Sequence, residues 1–219
     1  MRSYFDESAD DTKSALKIRP KLSIAYTVLL SQARGEGDRQ LQQTIECAAV
    51  QAIPASFVIR EEAMECLYPR WGGNHELMAT FAQQSQAQVE ENPYMHWLLG
   101  FVDGDEGAMS AMHDDLDKSI EQWTRAIDKG GDYSGFYFGR GESFSHLGLF
   151  EEALGDFDRA NDLSPQDPEL LIRRADTLAR LGRPKEALAD LKFVAIFEAP
   201  DEFSTQLHDW VVSAMKQQH

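Results

Sequence analysis

The chain has 219 residues, 42 % of them apolar, and sets 21 lysines and arginines against 37 aspartates and glutamates for a net charge of −16. That composition fits a globular domain or a continuous array and excludes a disordered chain. The charge speaks against a nucleic-acid backbone as ligand and suits a basic partner protein.

The opening segment, MRSYFDESADDTKSALKIRP, has no apolar run and carries four acids by Asp11. It reads as a partly flexible segment over residues 1–19 that lacks a secretion signal. No stretch reaches the ~20 apolar residues of a membrane span, so no membrane partner is expected. The two cysteines, Cys47 and Cys66, sit in apolar-periodic segments and read as reduced, buried thiols of a cytoplasmic protein.

From Lys21 onward apolar residues recur at helical spacing, and period-2 alternation is rare. In residues 20–92, read as degenerate helix pairs, Ile24, Val28, Leu29 and Ala33 form one stripe and Leu41, Ile45, Ala48 and Ala52 the next. Glycines and prolines at Gly35 to Gly37, Pro54, Pro69 to Gly73, Pro93, Gly130 to Gly131, Pro165 to Pro168, Gly182 to Pro184 and Pro200 separate short helices. About ten or eleven helices in antiparallel pairs follow from that punctuation.

The stretch 69-PRWGGNH-75 predicts a tight turn, with Asn74 as N-cap of a helix running through Leu77 and Phe81. Trp71 is either a cap on the core between two helix pairs or an anchor for a partner, and the first reading is favoured. The wider segment 56-SFVIREEAMECLYPRWGGNHELM-78 resembles an uncharacterised family of bacterial proteins, a likeness that implies no activity.

Further along, the chain repeats itself. Gly141, Phe144, Leu147, Gly148, Ala153, Phe157 and Ala160 recur 34 residues later as Ala175, Leu178, Leu181, Gly182, Ala187, Leu191 and Val194, and Pro165 recurs 35 later as Pro200. The small residues let two helices approach and the large one fills the gap between them. This pattern resembles the tetratricopeptide repeat family over residues ~134–200. A weaker copy places Ser119, Trp123 and Ala126 a further 34 residues earlier. Its first helix is expected at 93-PYMHWLLGF-101, joined through the acidic link 103-DGDEGAMSAMHDD-115, read as an insertion or an extension of the second helix. The resemblance implies an all-α, right-handed array over 93–200, closed by a capping helix over 201–219 with Phe203, Leu207, Trp210, Val211 and Met215 on its inner stripe.

Chemical motifs fail one by one. The glycines of 139-GRGES-143 lie inside an apolar-periodic helix with no following Lys-Ser or Lys-Thr, so they are not a phosphate loop. As a calcium loop the segment from Asp103 puts Gly107, Ala108 and Asp114 at the fifth, sixth and twelfth positions, where an oxygen ligand, Gly and Glu are needed. The six histidines show no zinc-hydrolase spacing. No catalytic residue, metal or cofactor is expected.

The family resemblance implies function through a concave surface lined by the first helices of successive repeats. Carried onto this chain, that surface comprises Phe138, Glu142, Ser145 and His146, then Glu169, Ile172, Asp176, Ala179 and Arg180. Chaperone-binding members of the family hold a peptide carboxylate with Lys, Asn and Arg. Phe138 and Glu142 stand where Lys and Asn would be needed, which points to a neutral or basic ligand. The favoured function is a non-enzymatic bacterial immunity or inhibitor protein that covers a basic toxin, with a nuclease as the candidate type. Alternatives are a secretion chaperone or adaptor, and a helical metal-dependent hydrolase using His113 with Asp114 and Asp115, or His75 with Glu76.

Overall fold

The computed structural model describes residues 11–197 and 201–217, and among them every regular element is helical. Most of the expected flexible N-terminal segment, and the repeat match at Pro200, lie outside the described residues. The chain divides into two compact units, residues 1–102 and 103–219.

In the first unit, residues 11–18 are helical, followed by α1 (Ser23–Glu36), α2 (Arg39–Ala52), α3 (Phe57–Glu65) and α4 (His75–Ser85). Short 3-10 segments follow at Gln86–Gln88 and Pro93–Gly100. Three helix starts have a side-chain cap: Asp38, Ser56 and Asn74 accept from the backbone N–H of Leu41, Ile59 and Leu77. The core joins Tyr26, Leu29, Leu30 and Ala33 of α1 to Ile45 and Ala49 of α2 and Ile59 of α3.

The expected stripes hold in part: Leu29, Ala33 and Ile45 are buried and Ala52 packs against them, whereas Ile24, Leu41 and Ala48 are exposed. Ile24 is largely exposed because α1 turns Tyr26 and Leu30 inward, and Leu41 and Ala48 are exposed because α2 buries Gln42 with Ile45 and Ala49. A glutamine on the inner face hid the true phase of the helix. Cys47 falls on the outer face of α2 and is exposed, contrary to expectation, whereas Cys66 is buried and burial pushes its thiol up to about 11.

The 69–75 turn forms as a 3-10 segment, Pro69–Trp71, followed by Gly72 at φ 83°. Arg39 Nη2 donates to the Trp71 carbonyl oxygen at 3.4 Å, and the Arg34 guanidinium lies 5.9 Å from the Trp71 ring centre. The ring stays 44 % exposed, so Trp71 does not cap the core. Gly73 has a different reason to be glycine: a Cβ there would stand 1.7 Å from the Leu67 carbonyl oxygen. Backbone cannot yield as a side chain does. Gly73→Ala is therefore expected to cost about 2–3 kcal/mol, read as a fall in the chemical-denaturation midpoint, while Gly35→Ala, with nothing within 4 Å, should not lower it.

The second unit begins within α5 (Phe101–Met112) and continues through α6 (Leu116–Gly130), α7 (Ser134–His146), α8 (Phe150–Leu163), α9 (Pro168–Arg180), α10 (Pro184–Phe197) and α11 (Glu202–Gln217). Here the 34-residue register governs contacts of every kind. A Cβ on Gly107 would come within 3.0 Å of Trp123, and one on Gly141 within 2.8 Å of Phe157. The turns after α5, α7 and α9 place Asp114, Gly148 and Gly182 at φ 61°, 77° and 72°. Aspartate tolerates this left-handed backbone better than most residues, which is how the first turn keeps the geometry without glycine.

A polar ladder shares the register. Arg140 grips Asp156 through Nε and Nη2 at 2.7 and 2.8 Å, and Arg174 grips Asp190 at 2.8 and 2.7 Å. Each arginine also reaches the preceding repeat, Arg140 to Thr124 and Arg174 to Asp158. In the first repeat the same rung is a hydrogen bond from Gln122 to Glu106 at 3.2 Å.

Two expectations change accordingly. Residues 93–100 form a 3-10 segment, and the partner of α6 is α5, which occupies most of the expected acidic loop. Asp103 and Asp105 are buried on that helix, with Asp103 held by Lys129 Nζ at 2.6 Å. Gly104 and Gly107 argue against a helix by propensity, yet their bareness is what lets α5 lie against Trp123. At the other end α11 packs Leu207 and Val211 into one cluster with Leu178 and Leu191, and turns Thr205, His208 and Asp209 outward. Phe203 and Trp210, expected on the inner stripe, are 44 % and 49 % exposed.

Candidate functional site

The first helices α7 and α9 and the terminal helix α11 line two adjoining hollows in the second unit. The first, about 430 Å³, is bounded by Asp114, Leu116, Glu142, Ser145, His146, Phe157, Arg173, Asp176, Arg180 and Phe203. The second, about 600 Å³, is bounded by Phe150, Asp176, Ala179, Arg180, Phe203, Gln206, Leu207 and Trp210. Asp176, Arg180 and Phe203 belong to both, so the hollows form one groove.

Among the sequence-predicted site residues, Glu142, Ser145, His146, Asp176, Ala179 and Arg180 come together here. Phe138 packs against Phe157 at 5.9 Å between ring centres, and Ile172 packs against the Leu178–Leu191 cluster, so neither lines the groove. Phe138 and Glu169 border a separate hollow of about 200 Å³. Trp71 belongs to the first unit.

Each of the groove acids Glu142 and Asp176 is met by an arginine. Glu142 Oε1 lies 3.3 Å from Arg173 Nε, and Asp176 accepts from Arg180 Nε at 2.8 Å. Arg173 also stands 3.9 Å from Glu169 and 5.8 Å from the Phe203 ring centre, and Arg180 lies 5.4 Å from that of Phe150. Carboxylates on a half-buried helix face draw in the nearest guanidinium, and the groove becomes a mixed-charge surface edged by aromatics.

Burial pushes the Glu142 carboxyl above its ordinary 4.5; Arg173 and His146 pull it back and Glu169 pushes it further up. An acid whose folded pKa is raised holds its proton more tightly folded than unfolded, so its contribution to stability is complete below about 4.5 and is lost as pH rises through the folded value. Glutamine imitates the protonated side chain. Glu142→Gln should match the wild-type melting temperature below pH 4.5 and exceed it at neutral pH; a variant less stable than wild type at pH 7 would contradict this account of the groove.

No group of three His, Cys, Asp or Glu is placed to hold a metal ion among the described residues. His113 Nδ1 lies 2.7 Å from the Met109 carbonyl oxygen at the end of α5, with Asp114 and Asp115 in the following turn, and His75 and Glu76 open α4. No helix among the described residues is long and apolar enough to cross a membrane.

Sequence reasoning missed Arg173, Phe150, Gln206 and the groove-side placement of Phe203 and Trp210. The signal was present: adding 34 to Glu169, Ile172 and Asp176 gives Phe203, Gln206 and Trp210. Treating α11 only as a cap concealed it.

No family model and no curated protein matches the chain. Solved structures do. The Arabidopsis OM64 TPR domain matches 52 % of this chain and 94 % of its own, at 22 % identity and a TM-score of 0.50. The first TPR of Spaghetti (RPAP3) matches 53 % of this chain and 93 % of its own, at 20 % identity and a TM-score of 0.52. PilW, a type IV pilus biogenesis factor, matches 94 % of this chain and 92 % of its own, at 16 % identity and a TM-score of 0.51. These likenesses show a tetratricopeptide-repeat fold.

Proposed function

We propose that this chain is a non-enzymatic protein-binding repeat protein that receives a segment of another protein in the groove formed by α7, α9 and α11. The observation that carries the reading is the exposure of Phe203 and Trp210 beside Arg173 and Arg180 in a continuous hollow. Exposed aromatics and arginines are the side chains that most often anchor protein interfaces. The Spaghetti domain, which shares the fold, was solved bound to the HSP90 peptide SRMEEVD.

A photo-crosslinking residue at Ser145 or Ala179, in the cells that make the protein, should capture one and the same protein at both positions. The same residue at Asp209, on the outward face of α11, should capture none. Capture only from the outward face would overturn the reading.

The narrower reading, an immunity or inhibitor protein against a basic toxin, rests on charge. Residues 103–219 carry 24 acids and 12 lysines and arginines, a net −12 within the chain's −16. Such a field accelerates association with a basic partner, an effect that salt removes. An acidic captured protein, or an association rate indifferent to salt, would eliminate this narrower role and leave the groove reading standing.

A further inference from the structure

We propose that the C-terminal end of the groove takes a peptide segment in which a large apolar side chain stands next to a carboxylate. The apolar group enters among Phe150, Phe203 and Trp210, and the carboxylate meets Arg180. The proposal rests on the groove reading above and names the ligand chemistry of one part of it.

The aromatics come first. Helix α11 meets its packing needs with Leu207 and Val211 and its need for a polar outer face with Thr205, His208 and Asp209. Phe203 and Trp210 serve neither purpose. They lie seven residues apart, two helical turns, on the flank that continues the Glu169 and Asp176 positions of α9 by the 34-residue step. Keeping two large aromatics nearly half exposed on one flank of a helix is unfavourable without an occupant. The hollow they border, about 600 Å³, has the size of a small-ligand pocket and admits a bulky side chain.

The charge then selects the neighbour of that side chain. Asp176 engages Arg180 through Nε, and among the described residues no other carboxylate pairs with this guanidinium, whose side chain stays 50 % exposed. Its outer edge offers the two parallel N–H donors that a carboxylate accepts. Arg173 stands over Phe203, with its own charge answered by Glu142 and Glu169. A lysine or arginine beside the apolar anchor would meet the outer edge of Arg180 head on. The local preference is thus opposite in sign to that of the surface as a whole, where residues 103–219 sum to −12.

The test is selection of a phage-displayed library of random peptides, roughly twelve residues long, on the full chain, followed by affinity measurements with synthetic copies of the enriched sequences. Enriched sequences should place Asp or Glu within two positions of Phe, Trp, Tyr, Leu or Met. Phe203→Ser with Trp210→Ser should weaken them at least roughly tenfold, with the melting temperature checked because both residues flank the core. Arg180→Glu, a half-exposed substitution, should turn the selected neighbour from acidic to basic. Enrichment of Lys or Arg beside the anchor, or an unchanged preference with Arg180→Glu, would overturn the proposal. Peptides that ignore Phe203→Ser with Trp210→Ser but are lost when Ser145→Trp fills the first hollow would overturn it while sparing the groove reading. No enrichment, or peptides indifferent to all these changes, would defeat both.

Discussion

Phe157→Ala is expected to lower the stability of the protein by about 3–5 kcal/mol, the usual cost of removing a buried phenylalanine. Phe157 is 1 % exposed and sits in a cluster with Ala153, Ala160 and Leu170. Its ring fills the space that Gly141 leaves open on the facing helix, where a Cβ would stand 2.8 Å away. Gly141, Ala153 and Ala160 have nothing to extend into the void, so the side of the cavity that they line persists. In a repeat array the loss also weakens the interface with the next helix pair. A thermal melt should show the fall as roughly 10 °C; a melting temperature within error of wild type would show that the ring is not the keystone of its repeat.

Arg174→Ala is the second large effect, about 2–3 kcal/mol. The guanidinium makes a two-point pair with Asp190 and a third bond to Asp158, and these hydrogen bonds hold it above its ordinary range. The pair is largely but not wholly buried, at 19 % and 10 % side-chain exposure, so the figure is set below that of a fully buried pair. The cost arises from leaving Asp190 without its cation. Arg174→Met with Asp190→Leu should therefore recover most of the stability that Arg174→Ala loses. If the double variant is no more stable than the single one, the pair is worth more than its apolar replacement. Arg174→Lys should fall between, because an ammonium cannot bridge both oxygens in the guanidinium's geometry.

The fold was legible wherever one residue type had one duty. Ala153, Phe157 and Ala160 announce a packed helix face because small, large and small have no other reason to recur at 34 residues in Ala187, Leu191 and Val194. The ladder of Arg140 and Arg174 with Asp156 and Asp190 carries the same period and could have been read, but charged residues on helices are taken as solvated until a partner is seen. The region 103–115 misled because glycine and acid composition speak for a loop, while Gly104 and Gly107 are there to admit Trp123. Propensity counts what a residue costs its own helix and is blind to what its absence of side chain allows a neighbour to do. In α2, Gln42 on the buried face shifted the apparent stripe for a related reason.

At the groove, position was legible and environment was not. Glu142, Ser145, His146, Asp176 and Arg180 follow from the repeat register. That Glu142 would be met by Arg173 depends on how α7 lies against α9, which periodicity does not encode, whereas Asp176 and Arg180 pair at i, i+4 within α9 itself. The exposure of Phe203 and Trp210 was hidden because aromatics at helical spacing read as core.

The most direct measurement of the central claim is hydrogen exchange on the protein with and without its captured partner. Binding in the groove predicts slowed exchange in the first helices, α7 and α9, and in α11, with α10 and residues 11–100 unchanged. Protection confined to α10, or to the first unit, would contradict it.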